Sequence, residues 1–168
     1  MPECFSCKGI YPKIDGPTHR YMDSSPGCWQ IYGEILSKEY SSQNYWKNHR
    51  LTVDAYAAQH PGIESSQSIQ SVAVHLLSLY FIMEEGRSHD EAKELIGKAT
   101  THKFQWLTPP DDLGGISAKN VWMAESAKEH NDMVELWAES VWFAWEMHHK
   151  TIQKWARQIV ETVPSPQE

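Results

Sequence analysis

The sequence predicts an all-α fold, with about six helices packed around a central helix at 66–85 and an irregular head before them. Three observations carry this. The stretch SQSIQSVAVHLLSLYFIMEE, Ser66 to Glu85, is apolar on every face of a helical wheel between Val72 and Met83. A helix with no polar stripe has no side to give to water and belongs inside. Val134, Trp137, Val141, Ala144, His148, Ile152, Trp155 and Ile159 then recur in three- and four-residue steps, the inward stripe of one long helix from about Asn131 to Glu161. Between these, serine caps and glycine or proline stops punctuate the chain at helix lengths.

The elements follow in order. Residues 1–25 carry Pro2, Gly9, Pro12, Gly16 and Pro17 and read as a loop-rich head. Ser25-Pro26 is an N-cap followed by a first helical residue, opening a helix to about Tyr40 with Trp29, Tyr32, Ile35 and Leu36 inward. A second helix is expected from Ser42 to His60, where Pro61-Gly62 ends it. Ser66 or Ser68 caps the central helix and Gly86 stops it. Ser88-His-Asp-Glu91 is a capping box for a helix to about His102, with Leu95, Ile96 and Ala99 inward. Phe104–Ile116 is an irregular connection, and Ser117 caps a short helix to about Lys128. At 168 residues the whole is one domain (1–25 head, 26–162 helical bundle, 163–168 frayed tail), long enough to bury about 70% of its unfolded surface.

Composition bounds the function. A formal charge of −7, with no basic patch along the sequence, argues against a nucleic-acid partner. The apolar run at 72–83 is too short for a bilayer, which needs about 20 residues, and MPECFSCKG has no signal-peptide pattern, so no membrane association is expected and a cytoplasmic location is the default. HExxH, GxSxG, Walker-type glycines and a dinucleotide fingerprint are absent, which removes several enzyme classes. Nothing in the sequence chooses between a monomer and a homodimer, or supplies a small-molecule ligand.

Three cysteines and nine histidines carry the candidate chemistry. Cys4-x2-Cys7 has the spacing with which two thiolates face one tetrahedral ion, and Cys28 falls in the first turn of a helix, where free N–H groups favour thiolate. With His19 between them the pattern is C-x2-C-x11-H-x8-C, the donor set of a closed zinc site that would pin the head to the first helix. His60, at a helix end able to abut the head, is the reserve ligand. A second constellation is interior. His75 lies on the buried helix, His148 on an inward position of the last helix and Asp54 a turn and a half before His60, and imidazoles and a carboxylate brought together there make either a catalytic metal site or satisfied core groups. The four tryptophans at 137, 142, 145 and 155 read as core.

The segments PECFSC, DGPTHRYMDSSPGCW, LTVDAYAAQHPG, QSIQSVAVHLLSLY and SVWFAWEMHHKTIQKWA resemble an uncharacterised family of small bacterial proteins of unknown function. The resemblance runs from Glu3 to about Trp155, and Cys4, Cys7, His19, Cys28, Asp54, His60 and His75 all lie in its segments. It implies no substrate. The leading expectation is a zinc-binding helical protein with a structural metal in its head. The alternatives are a metal-dependent hydrolase or transferase working from the interior cluster, and a thiol redox switch closing Cys4 to Cys7.

Overall fold

In the computed structural model, which describes residues 3–161, a short irregular head leads into eight α-helices: α1 Pro26–Ser41, α2 Gln43–Trp46, α3 His49–Gln59, α4 Ser66–Leu79, α5 His89–Ala99, α6 Ala118–Trp122, α7 Ala127–Ala144 and α8 His149–Glu161. Among the described residues the only extended pairing is a single bridge between Glu3 and Ile10. The all-α reading and the irregular head therefore stand, while the expected frayed tail at 163–168 lies outside the described residues. No described helix is long and apolar enough to cross a membrane.

Local chemistry sets the helix starts. Ser25 Oγ accepts the N–H of Cys28 at 3.2 Å, and Pro26 takes the first helical position, where its missing N–H costs nothing. Ser65, one residue earlier than expected, caps α4 in a reciprocal box with Ser68. Ser88 Oγ accepts from the N–H of Glu91 and starts α5.

Three expected helices are divided. The second breaks at Lys47-Asn48, because Asn48 turns its amide away to donate to the Asn131 carbonyl at 3.0 Å and to Glu135 at 3.2 Å. The segment after Ser117 is only a short helix, since Ser126 caps α7 by accepting from the N–H of Glu129. The long last helix breaks between Ala144 and His149, around a 3₁₀ turn at Glu146–His148. There Trp145 is buried, donating its indole N–H to the Ala58 carbonyl at 3.0 Å, and His149 stacks on Trp142 and bonds its carbonyl at 2.8 Å. The His149 bond satisfies a carbonyl that a continuing helix would have paired.

The core is α4 seated among α3, α5, α7 and α8. Its buried face is Val72, Ala73, Leu76, Leu77, Leu79 and Phe81, but Val74, His75, Ile82 and Met83 are half-buried. The helix expected to be inside on every side thus has one outer edge. It ends in a wider π turn, Tyr80–Glu84, which puts Glu84 against the indole N–H of Trp142 at 2.7 Å. Each of the three fully buried indoles on α7 and just after it has a named acceptor, the third being Gln59 for Trp137 at 3.0 Å.

Two glycines let the head approach the bundle. A Cβ on Gly27 would stand 2.3 Å from the Pro12 carbonyl oxygen, and one on Gly62 would stand 2.0 Å from that of Tyr21. Gly62 also has φ +76°. We expect Gly62→Ala to destabilise the fold by about 1–3 kcal/mol, through both the clash and the left-handed backbone. Gly97→Ala, in the last turn of α5 with nothing near its Cβ, should stabilise it by about 0.5–1 kcal/mol. Urea unfolding of the pair checks this, and equal midpoints would show that the head does not press on the Pro61-Gly62 turn.

Candidate metal centre

Four donors meet where the head crosses the start of α1 and the end of α3. The thiols of Cys4, Cys7 and Cys28 and an imidazole nitrogen of His60 all lie within 4.8 Å of one another, and none of the four residues is more than 5% exposed. The Cys4–Cys7 hairpin is shaped by its backbone: the N–H of Cys4 donates to the Gly9 carbonyl at 2.8 Å, that of Lys8 to the Cys4 carbonyl at 2.9 Å, and Lys8 takes the left-handed conformation at φ 63°. Ser6 ties this turn to the Asp23 carbonyl. Cys28 comes from the first turn of α1, and His60 follows the last residue of α3, ahead of Pro61.

The spacing suits one small tetrahedral ion. Metal–sulfur bonds of about 2.3 Å place two sulfurs about 3.8 Å apart on the edge of a tetrahedron. The sulfurs of Cys7 and Cys28 stand 3.9 Å apart, and Cys28 Sγ is 3.4 Å from His60 Nε2. All three cysteines are free of disulfides. The His60 tautomer is fixed from behind. The carbonyl of Tyr56 can only accept, so Nδ1–H donates to it at 2.8 Å and Nε2 is the nitrogen turned to the sulfurs. A backbone carbonyl on the far ring nitrogen is the usual support of a metal-bound histidine.

The surroundings stabilise negative sulfur. Tyr11 and Tyr56 place their hydroxyls 3.5 Å from Cys7 Sγ and 3.4 Å from Cys28 Sγ. Tyr56 stacks between His60 and Tyr32, walling the cluster from water. Without an ion, hydrogen bonds from Cys28 and Cys7 hold the Cys4 thiol far below its ordinary range, and the same bonds with burial push Cys28 up. Burial opposes charge on His60, yet hydrogen bonds to Cys4 and Cys7 outweigh it and raise the imidazole to about 9. Without an ion, the His60 proton thus stands in the positive role beside the Cys4 thiolate.

His19 does not join the cluster. Its Nδ1 accepts the N–H groups of Tyr21 and Met22, both at 3.2 Å, and its ring packs edge-on to Tyr21 and Trp29. The reserve ligand His60 occupies the fourth corner instead. Nor do the four interior candidates converge, because His60 faces the thiols. His148 lies at the α7–α8 break with Nε2 donating to the Thr108 carbonyl at 2.8 Å. Only Asp54 and His75 meet, Oδ1 to Nδ1 at 2.8 Å, while Ser78 and Arg50 take the other oxygen of Asp54. His75 is 19% exposed in its side chain rather than buried, so this pair satisfies the buried Asp54 at the edge of the core.

One polar cluster has no counterpart in the sequence reading. Glu39 is fully buried and accepts from His130 at 2.7 Å, His49 at 2.8 Å and Thr52 at 2.6 Å. Burial works to raise this carboxyl, but the hydrogen bonds from His130, His49 and Thr52 outweigh it and hold the group below the ordinary carboxylate range. The only sequence signal was an acid one turn beyond Ile35 on the inward face of α1.

No curated protein and no solved structure matches the chain. A family model matches residues 2–146, which takes in the head, all four cluster residues and α1 to α7. The chain belongs to that family, the family of unknown function DUF5946.

Proposed function

We infer that this protein is a zinc protein in which the ion is structural, closing the head onto the bundle. The observation that carries the reading is the orientation of His60, whose Nδ1–H is bound to Tyr56 and whose Nε2 faces the thiols. Three thiolates and one imidazole fill a tetrahedron, and a filled coordination sphere leaves no position for substrate. Thiolate and imidazole donors suit zinc better than magnesium or calcium, which take oxygen ligands. Thiols kept free and clustered fit a reducing compartment such as the cytoplasm. Zinc supplies charge neutralisation and tetrahedral bonding here, while Tyr11, Tyr56 and the Tyr56 carbonyl hold the ligands in place.

The enzymatic reading has less support. Asp54 and His75 have the geometry of a base and its orienter, but the other two residues expected beside them are engaged elsewhere.

Metal analysis of the purified protein should give zinc equimolar with chain. Cys4→Ser, Cys28→Ser and His60→Ala should each lower zinc retention by orders of magnitude, because metal binding to such sites is worth on the order of 10 kcal/mol. His19→Ala should keep its zinc. Loss of zinc in His19→Ala with retention in His60→Ala would overturn the assignment of ligands.

The redox alternative separates by thiol chemistry. Zinc-held thiolates should react slowly with iodoacetamide in the native protein and quickly after chelation. Binding must also expel the His60 proton, so apparent affinity should fall as the pH drops below about 9. Equal alkylation rates with and without chelator would support free thiols able to form a disulfide.

A further inference from the structure

A cavity of about 480 Å³ opens at the start of α3, the end opposite the thiol cluster, lined by Trp46, Lys47, His49, Arg50, His89 and Lys93. Asp90 is the only acid in its lining. On a chain of net charge −7 this is a local excess of positive charge, and the sequence hides it because the fold assembles it from 46–50 and 89–93. We propose that this cavity is a binding site for a small phosphorylated molecule.

Two of these side chains, Arg50 and His49, are held in place. Arg50 Nε donates to Ser78 Oγ at 3.2 Å and lies 3.7 Å from Asp54, contacts that anchor the side chain without using the two terminal nitrogens of its fork. A planar guanidinium held in this way suits bidentate binding of an oxyanion. His49 is oriented by the Nδ1 bond to Glu39, which leaves Nε2. The carboxylates beneath the cavity, Glu39 and Asp54, are buried and already partnered, Glu39 by three hydrogen bonds and Asp54 by two, with Arg50 3.7 Å away. Burial, with Arg50 adding to it, holds His89 below the ordinary histidine range against the opposing charges of Asp54, Asp90 and Glu135, and an anion beside it would push it up.

The start of α3 supplies a further element. Asn48 sits at the N-cap but makes no capping bond, its amide being spent on Asn131 and Glu135. Asparagine is among the best capping residues, so its diversion leaves the first N–H groups of α3 without a side-chain acceptor, where His49 and Arg50 line the cavity. A carboxylate could use only part of this donor set. A phosphate, with more oxygens and more charge, uses it better. The volume far exceeds one phosphate group. The remainder of the ligand would lie toward Trp46, whose ring is 44% exposed and is stacked on His49 at 4.1 Å.

The test is a ¹⁵N–¹H titration of the full chain with inorganic phosphate, with chloride at matched ionic strength and acetate in parallel. Saturable shifts confined to His49, Arg50, Leu51, His89 and Lys93 are expected, with acetate weaker. Lys93→Glu alters an exposed residue and spares the core, and Arg50→Lys keeps the charge but loses the fork. Each should weaken phosphate binding by about tenfold or more. Phosphate shifts no larger than those from chloride, or unchanged affinity in both variants, would overturn the site. An equal response to acetate would overturn the assignment to phosphate. Zinc content, measured on the same samples, reads the thiol cluster separately.

Discussion

The end of α3 is the constraint on which the rest depends. Gln59 and His60 are adjacent, fully buried and polar, and neither can stay there without partners. Gln59 donates to the carbonyls of Leu113 and Ile116 and accepts the indole N–H of Trp137, which fixes the long connection and α7 against α3. His60 turns the other way, to the thiols of the head. Two consecutive side chains thus hold the head and the second half of the chain to one helix terminus. The Pro61-Gly62 turn that follows is shaped to clear Tyr21 in the same head.

The interior is more polar than an apolar bundle needs. Asp54 and Glu39 are buried carboxylates, and a charge removed from water is costly unless its oxygens are filled. Each is filled by side chains from neighbouring helices: Glu39 links α1 to α3 and α7, and Asp54 links α3 to α4. Apolar contacts tolerate sliding, whereas such bonds admit one register. The histidines are used in this way more often than as ligands: His49, His75 and His130 each bond a carboxylate, and only His60 faces sulfur.

What the sequence made legible was local. Ser25-Pro26, Ser88 and the Cys4-x2-Cys7 knuckle depend on residues within a turn of one another, and the structure holds each where its spacing puts it. Cys28 was legible for the same reason, as a thiol in a helix's first turn. The choice between His19 and His60 was not, because it turns on which ring nitrogen the backbone claims, and that is settled by the path of residues 19–22. The long final helix misled because its three-and-four rhythm continues through Ala144 and His148, while the protein buries Trp145 instead. Periodicity registers which faces are apolar but not that one indole needs the Ala58 carbonyl. Asp54 and His75 were grouped with His60 and His148 but not told apart from them, and Glu39 stayed hidden, because which inward polar groups meet is decided by contacts between helices.

The thiol cluster also has a topological meaning. Cys4 and His60 are separated by the whole of α1, α2 and α3, so an ion joining them is a crosslink closing a large covalent loop. For a loop of that length, the entropy removed from the unfolded chain corresponds to about 4 kcal/mol in the simplest polymer treatment. A disulfide would impose the same restriction permanently, whereas coordinate bonds can open and close. The head would then be a clasp rather than a weld, fastened after the helices it joins have found one another.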